Sequence, residues 1–202
     1  MPTKEIQRSQ QVKQVSLQEI VGKGYATFWN FRGIEVYLQG GKGSKKSKTV
    51  ALRWIMLLNM YPQACLLVLR KTGNTLLESV WADLQWACQV YGITEWKFKK
   101  SPISAVNERT GQKIFFRGLD DWQKIASIST GSPELHLCWA WYEEAFEIDD
   151  KATFDRVNNS IRGKLPLGYF KQFVYSFNPW TADNYVVKKV VENIDILSYN
   201  AY

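Results

Sequence analysis

Short apolar runs alternate with longer segments of helical spacing along most of this chain. Residues 34–38 (Ile-Glu-Val-Tyr-Leu) are short and β-prone. Residues 48–58 place Val50, Ala51, Trp54, Ile55, Leu57 and Leu58 at the period of one helix face. Residues 64–69 (Ala-Cys-Leu-Leu-Val-Leu) are apolar throughout, which predicts a strand covered on both faces and parallel to its neighbours. Residues 75–90 predict a helix, apolar at Leu76, Leu77, Val80, Trp81, Leu84 and Ala87 and stopping near Gly92. A short helical pattern at 122–128, a strand at 135–142, a helix at 154–161, a strand at 170–176, a helix at 182–191 and a last strand at 194–199 complete the series. Strands alternating with helices predict an α/β fold around a mostly parallel sheet with right-handed crossovers.

Two regions depart from that rhythm. Residues 1–15 are polar and predict a flexible N-terminal arm, followed at 16–29 by a helix with Ser16 as N-cap and Glu19 closing a capping box. Phe28, Trp29 and Phe31 beyond it read as core, with stacking on a nucleotide base as the alternative. Residues 96–98 alternate apolar with charged positions, and the turn residues 107–111 precede the β-prone run 113–116. The second half of this region predicts a hairpin, and antiparallel strands here would lengthen the sheet or cover its edge. No internal repeat, low-complexity tract or linker interrupts residues 16–202, so one domain is expected there.

Composition narrows the class. With 46% hydrophobic residues and nine tryptophans, the 202 residues can build a full core and are unlike a disordered chain. A formal charge of +7 favours a polyanionic partner such as nucleic acid. Cys65, Cys88 and Cys138 lie far apart without metal-site spacing, as buried thiols in a reducing compartment do. His136 is the single histidine and sits in an apolar run, a poor basis for a zinc site or a Ser-His-Asp triad. No apolar run approaches the roughly 18 residues of a membrane span, so a soluble, intracellular protein is expected.

The candidate chemistry begins between the first strand and the helix after it. Gly40-Gly41-Lys42-Gly43-Ser44-Lys45-Lys46-Ser47 is a strand–turn–helix junction that can turn backbone N–H groups toward an anion. Lys46 would reach the outer phosphates of a nucleotide and the Ser47 hydroxyl would ligate Mg²⁺. Lys45 stands where the phosphate-loop pattern has its second glycine; a positive φ there strains lysine. A basic surface turn is the alternative use of these residues.

Two further strand ends carry polar residues. Glu143 and Glu144 close the strand 135–142, and buried carboxylates are costly unless used or solvated. In a nucleotide hydrolase the first helps hold the metal and the second polarises water, which would assign Glu143 to Mg²⁺ and Glu144 to general base; a solvated acidic loop after a strand is the alternative. Ser176-Phe177-Asn178-Pro179 follows the strand 170–176, where Ser176 and Asn178 can sense the γ-phosphate or the lytic water; plain turn chemistry, for which Asn-Pro is a common signal, is the alternative and the reading these residues favour alone.

Taken in order, these pieces resemble the ATPase domain of the phage terminase large subunit. The resemblance rests on Gly40 to Ser47, Arg70-Lys71 with Ser79, Gly118-Leu119-Asp120-Asp121 with Lys124 and Ser127, Trp141-Tyr142-Glu143-Glu144-Ala145, and Ser176-Phe177-Asn178-Pro179. It implies a P-loop NTPase fold, a mostly parallel central sheet flanked by helices with an antiparallel extension. It implies an ATP- and Mg²⁺-dependent motor that moves double-stranded DNA into a procapsid in the cytoplasm of the infected host. Portal protein and small terminase subunit are the implied partners. A homo-oligomeric ring is the implied working form, with the isolated chain monomeric and nearly inactive. Lys42 would help stabilise charge on the transferred phosphoryl group, Ser176 to Pro179 would couple ATP state to DNA movement, and Arg162 would sense nucleotide or a neighbouring subunit. Arg109, Arg117 and Arg156 remain open for a trans-acting finger. The family's C-terminal nuclease domain is expected to lie outside this chain, so DNA cleavage is not expected from these residues.

Two other functions fit parts of the pattern. One is another P-loop nucleic-acid motor, such as a helicase. The other is a non-hydrolysing nucleic-acid-binding module whose loop meets backbone phosphate, for which Lys45 is the best support.

Overall fold

The structure, a computed structural model, describes residues 16–73, 79–148, 150–161, 163–178, 184–192 and 197–201. The strands are β1 (Glu35–Gly40), β2 (Ala64–Arg70), β3 (Trp96–Lys100), β4 (Ile103–Asn107), β5 (Lys113–Gly118), β6 (His136–Glu143), β7 (Gln172–Phe177) and β8 (Leu197–Ala201). They form one sheet in the order β3-β4-β5-β2-β6-β7-β1-β8. From β5 to β8 every neighbouring pair is parallel, whereas β3, β4 and β5 pair antiparallel at one edge. Both the parallel core and the antiparallel extension agree with the sequence pattern.

The two-residue period of the strands divides the core into two layers. Val36, Leu38, Leu66, Val68 and Trp141 face helices α1 (Leu17–Val21), α2 (Ala26–Asn30), α3 (Lys46–Met60) and α4 (Val80–Tyr91). Tyr37, Leu67, Leu69, Tyr142 and Tyr175 face α5 (Trp122–Ala126), α6 (Lys151–Ser160) and α7 (Tyr185–Glu192). On this second face the strand register stacks three tyrosines, with Tyr175 lying 4.6 Å from Tyr37 and 4.7 Å from Tyr142 between ring centroids. Asn158 of α6 bridges two of their hydroxyls, accepting from Tyr142 at 2.6 Å and donating to Tyr175 at 2.9 Å. β6, β7 and β1 are thereby locked to one another at the level of the stack.

Several elements differ from the pattern. The helix expected at 16–29 starts with its capping box but breaks at Gly22, whose φ of 93° no helix accommodates; a 3-10 turn (Lys23–Tyr25) and α2 follow. α4 begins at Val80 rather than at residue 75, with residues 74–78 outside the described set. β4 and β5 form the hairpin expected around residues 107–111, but the pattern marks no range for β4, because three of its five side chains are small or polar and only tertiary pairing makes it a strand. The expected arm at residues 1–15 lies outside the described residues. Phe28 is fully buried, and Trp29 and Phe31 pack against the same core, as expected of core aromatics. Cys65, Cys88 and Cys138 are buried thiols.

Gln112, in the turn between β4 and β5, holds the amino edge of the sheet. Its Nε2 lies 2.8–3.0 Å from the carbonyls of Leu58, Tyr61 and Ala64 and shares its two N–H groups among them, joining the end of α3 to the start of β2. Gln112 is 1% exposed, and its bonds to Leu58 and Ala64 are buried, so those two carbonyls would lose a partner away from solvent. Gln112→Ala is expected to lower unfolding free energy by about 2 to 3 kcal/mol in urea titration. A loss below about 0.5 kcal/mol would show the bonds to be dispensable.

Candidate active site

The parallel register places three strand ends at one edge. Leu38 and Gln39 of β1 lie opposite Ser176 and Phe177 of β7, and Ser176 also lies opposite Glu143 of β6. β7 therefore separates the strand that opens the glycine turn from the strand that carries the acids. A cavity of about 330 Å³ lies across these ends, lined by Gly41 to Lys48, Glu143, Glu144 and Ser176 to Asn178. The loop and the double acid, about a hundred residues apart in sequence, share this cavity.

Gly43 turns the loop with a φ of 89°. Lys45 then adopts φ 62°, the left-handed conformation that makes lysine an awkward substitute for glycine, at a cost of about 1 kcal/mol. Its ammonium leaves the loop to donate to the Ile20 carbonyl on α1 at 2.9 Å. Lys46 begins α3 and folds back beneath the loop. Its Nζ donates to Gly40 O (2.5 Å) and Asn178 Oδ1 (2.7 Å) and shares its third N–H between Ser44 Oγ (3.2 Å) and Gly41 O (3.3 Å). Lys46 is only 8% exposed; burial lowers its pKa, while Glu144 and Glu143 act in the opposite direction. Ser47 lines the cavity from the first turn of α3, and Lys42 is exposed at the loop tip.

Glu143 is the last residue of β6 and is 5% exposed. Arg70, at the end of neighbouring β2, places Nε 3.4 Å from Glu143 Oε2 and 3.7 Å from Glu147 Oε2. The first contact is an ion pair without hydrogen-bond geometry, and Glu143 Oε2 has no hydrogen bond. Burial raises the Glu143 pKa to about 7, against the opposing pull of Arg70. Glu144 follows with φ 52° and a second buried carboxylate oxygen without a hydrogen bond. Its pKa is also raised by burial, with Arg70 and Lys46 opposing. Lys45 and Glu144 are the two non-glycine residues with positive φ among those described, and both line this cavity. Such strain gathers where surroundings over-determine a functional geometry.

The two sensor candidates of β7 separate. Ser176 is 2% exposed; its hydroxyl accepts from Trp141 Nε1 at 2.8 Å and donates to the Tyr142 carbonyl at 3.4 Å, an interstrand use. Asn178 instead reaches Lys46. Pro179 and Arg162 lie outside the described residues. Of the arginines left open for a finger, Arg109 pairs with Glu95 at 3.7 Å and Arg156 lies 5.6 Å from the Trp122 ring centre. Arg117 donates to the Phe116 carbonyl at 2.8 Å. None of the three lines this cavity. Arg70 as counter-ion to the acids was not legible beforehand, although a basic turn at the carboxyl end of a buried strand marked its position.

A lysine turned back beneath a glycine-containing strand–helix junction, with paired acids ending the strand two places away, defines a P-loop nucleoside-triphosphatase fold. The chain belongs to the phage terminase large subunit family, which its residues 32–201 match. It is 32% identical to the terminase large subunit of Bacillus phage SPP1 over 197 residues, 95% of this chain and 46% of that protein. The chain spans less than half the length of the curated relatives it matches. In fold it is similar to the large terminase of a thermophilic bacteriophage, with TM-score 0.66 and 11% identity over 82% of this chain and 40% of that one. It is also similar to the Thermus phage P74-26 large terminase ATPase domain, with TM-score 0.58 and 11% identity over 93% and 80% of the two chains. The large terminase of the thermophilic bacteriophage is known in complex with ATP-gamma-S and with ADP.

The Glu143 pKa sets a pH test. A folded-state pKa near 7, above the ordinary 4.5, means that the native protein keeps a proton which the unfolded chain releases in between. Stability contributed by this group is therefore present below about pH 4.5 and lost as pH rises toward 7. In metal-free buffer, the stability of Glu143→Gln relative to wild type is expected to rise by up to about 3 kcal/mol between pH 4.5 and pH 8. A difference that does not change with pH would show that Arg70 keeps the carboxylate ionised throughout.

Proposed function

We propose that this chain is the ATP-hydrolysing motor unit of a viral DNA-packaging terminase, driving double-stranded DNA into a procapsid. The observation that carries this is the Lys46 ammonium, held among loop oxygens and Asn178 in one cavity with Glu143 and Glu144. Nucleotide complexes of the thermophilic bacteriophage's large terminase support ATP as the ligand. The backbone of Gly40 to Lys46 cradles the phosphates, and Lys46 exchanges its carbonyl contacts for phosphate oxygens. Lys42, at the loop tip, adds charge to the transferred phosphoryl group.

The oxygen donors available suit Mg²⁺, a hard cation: the Ser47 hydroxyl and a Glu143 carboxylate oxygen without a hydrogen bond. When bound, Mg²⁺ neutralises charge on the phosphates. Glu144 orients the attacking water and accepts its proton; the upward shift of its pKa by burial strengthens it as a base. Asn178 loses its lysine contact when nucleotide draws Lys46 away and so passes nucleotide state to the end of β7; Ser176 holds that end against β6. Arg162 is assigned to sensing nucleotide or a neighbouring subunit.

The net charge of +7 suits contact with DNA phosphates without sequence reading. The assembled form is proposed as a homo-oligomeric ring on the portal, supplied with DNA by a small terminase subunit in the cytoplasm of the infected host. No nuclease step is assigned to these residues. Among the described residues no helix is long and apolar enough to cross a membrane.

The test is ATP binding and turnover with Mg²⁺, with and without duplex DNA. Wild type is expected to bind ATP as the isolated chain and to hydrolyse it once assembled into the ring. Glu144→Gln should bind with turnover reduced by at least about 100-fold, and Lys46→Ala should lose binding. ATP binding by Lys46→Ala at wild-type strength would overturn the site. DNA binding without ATP binding in wild type would favour the non-hydrolysing module, and ATP-driven strand separation would favour a helicase.

A further inference from the structure

The segment ahead of β1 touches the phosphate loop at two consecutive residues. The Tyr25 hydroxyl donates to the Ser44 carbonyl at 2.6 Å, and Lys45 Nζ donates to the Ile20 carbonyl at 2.9 Å. Tyr25 is 4% exposed, so its hydroxyl is presented from within the core. The Ser44–Lys45 peptide is planar and trans, so fixing its C=O toward Tyr25 fixes the Lys45 N–H on the opposite side. Rotation of this peptide would carry the N–H away and present a carbonyl in its place. Lys45 is also the loop residue in the left-handed conformation, where a non-glycine residue needs outside support. The side chain that makes this position awkward supplies a support, through a carbonyl in the last turn of α1.

The same segment is anchored apart from the loop. Val21, Tyr25 and Phe28 are buried in the core, Arg53 Nη2 donates to the Phe31 carbonyl at 2.7 Å, and its guanidinium lies 4.5 Å from the Phe28 ring centre. Losing the two loop contacts therefore leaves the segment packed while freeing the loop.

We propose that Tyr25 and Lys45 are positioning residues that hold the phosphate loop ready for an anion, so that nucleotide binding and docking of residues 17–30 are reciprocally coupled. This rests on nucleotide binding at the loop, as proposed above. Reciprocity follows from linkage: if docking favours the binding-ready loop, bound nucleotide must favour docking to the same degree.

The test measures ATP affinity with Mg²⁺ by calorimetry, melting temperature, and amide hydrogen exchange with and without ATP, in Tyr25→Phe, Lys45→Met, Lys45→Arg and the Tyr25→Phe/Lys45→Met double variant of the full chain. Tyr25→Phe and Lys45→Met are each expected to weaken ATP affinity about fivefold, the scale of one hydrogen bond, with little change in melting temperature. Lys45→Arg, which keeps a donor, should restore affinity. ATP should slow exchange across residues 17–30 in wild type; in the double variant that protection should vanish while protection at the start of α3 persists. Variants that melt lower yet bind ATP as wild type does would reduce the contacts to structural ones and overturn the inference. Exchange at 17–30 that ignores ATP in wild type would overturn it as well. A wild type that binds no ATP removes the nucleotide site itself, and this inference with it.

Discussion

An ammonium as buried as that of Lys46 is tolerable only when oxygen surrounds it, and that requirement organises the carboxyl edge of the sheet. The loop can supply Gly40, Gly41 and Ser44 by curling over the lysine, but Asn178 comes from β7. The contact exists because β1 and β7 are parallel neighbours that end at the same height. β6 ends there too, since Glu143 is opposite Ser176. The buried cation thus needs β1 and β7 in register, and the pairing of β7 with β6 brings the acids to the same edge.

Rigid packing below the edge supports strain at the edge. The stacked tyrosines of β1, β7 and β6, with Asn158 between two of their hydroxyls, hold the strands against sliding. Lys45 and Glu144 can then remain in left-handed conformations that neither would choose in a loose chain. Charge follows the same logic. Burial works against the carboxylates of Glu143 and Glu144, while Arg70 and Lys46 work to keep them ionised. A site so balanced responds to small changes in the charge brought into it.

Much of the candidate site was legible before any coordinates. Glycines and lysines between a strand and a helix, and two acids closing an apolar strand, are local patterns whose chemistry does not depend on what lies beside them. The strain at Lys45 could be anticipated because its position in the loop asks for a glycine conformation. Other features could not be anticipated. Gly22 interrupts a helix that the capping box otherwise supports. β4 has too little apolar alternation to stand out and is a strand because β3 and β5 flank it. Gln112 falls between the turn residues 107–111 and the run 113–116 without a marked pattern of its own, and its role depends on three carbonyls about fifty residues away in sequence.

Most of the elements, the two-sided burial of the parallel strands, and the candidate residues for phosphate, metal and water could be read from the chain alone. These are set by side-chain period, backbone freedom and ionisation, all properties of short stretches. The tertiary structure alone decided that Asn178 rather than Ser176 meets Lys46, that Arg70 stands against Glu143, and that Tyr25 and Ile20 meet the loop at Ser44 and Lys45. Each of these depends on which strands become neighbours and where they end, and strand order is a property of the whole sheet that no single segment encodes.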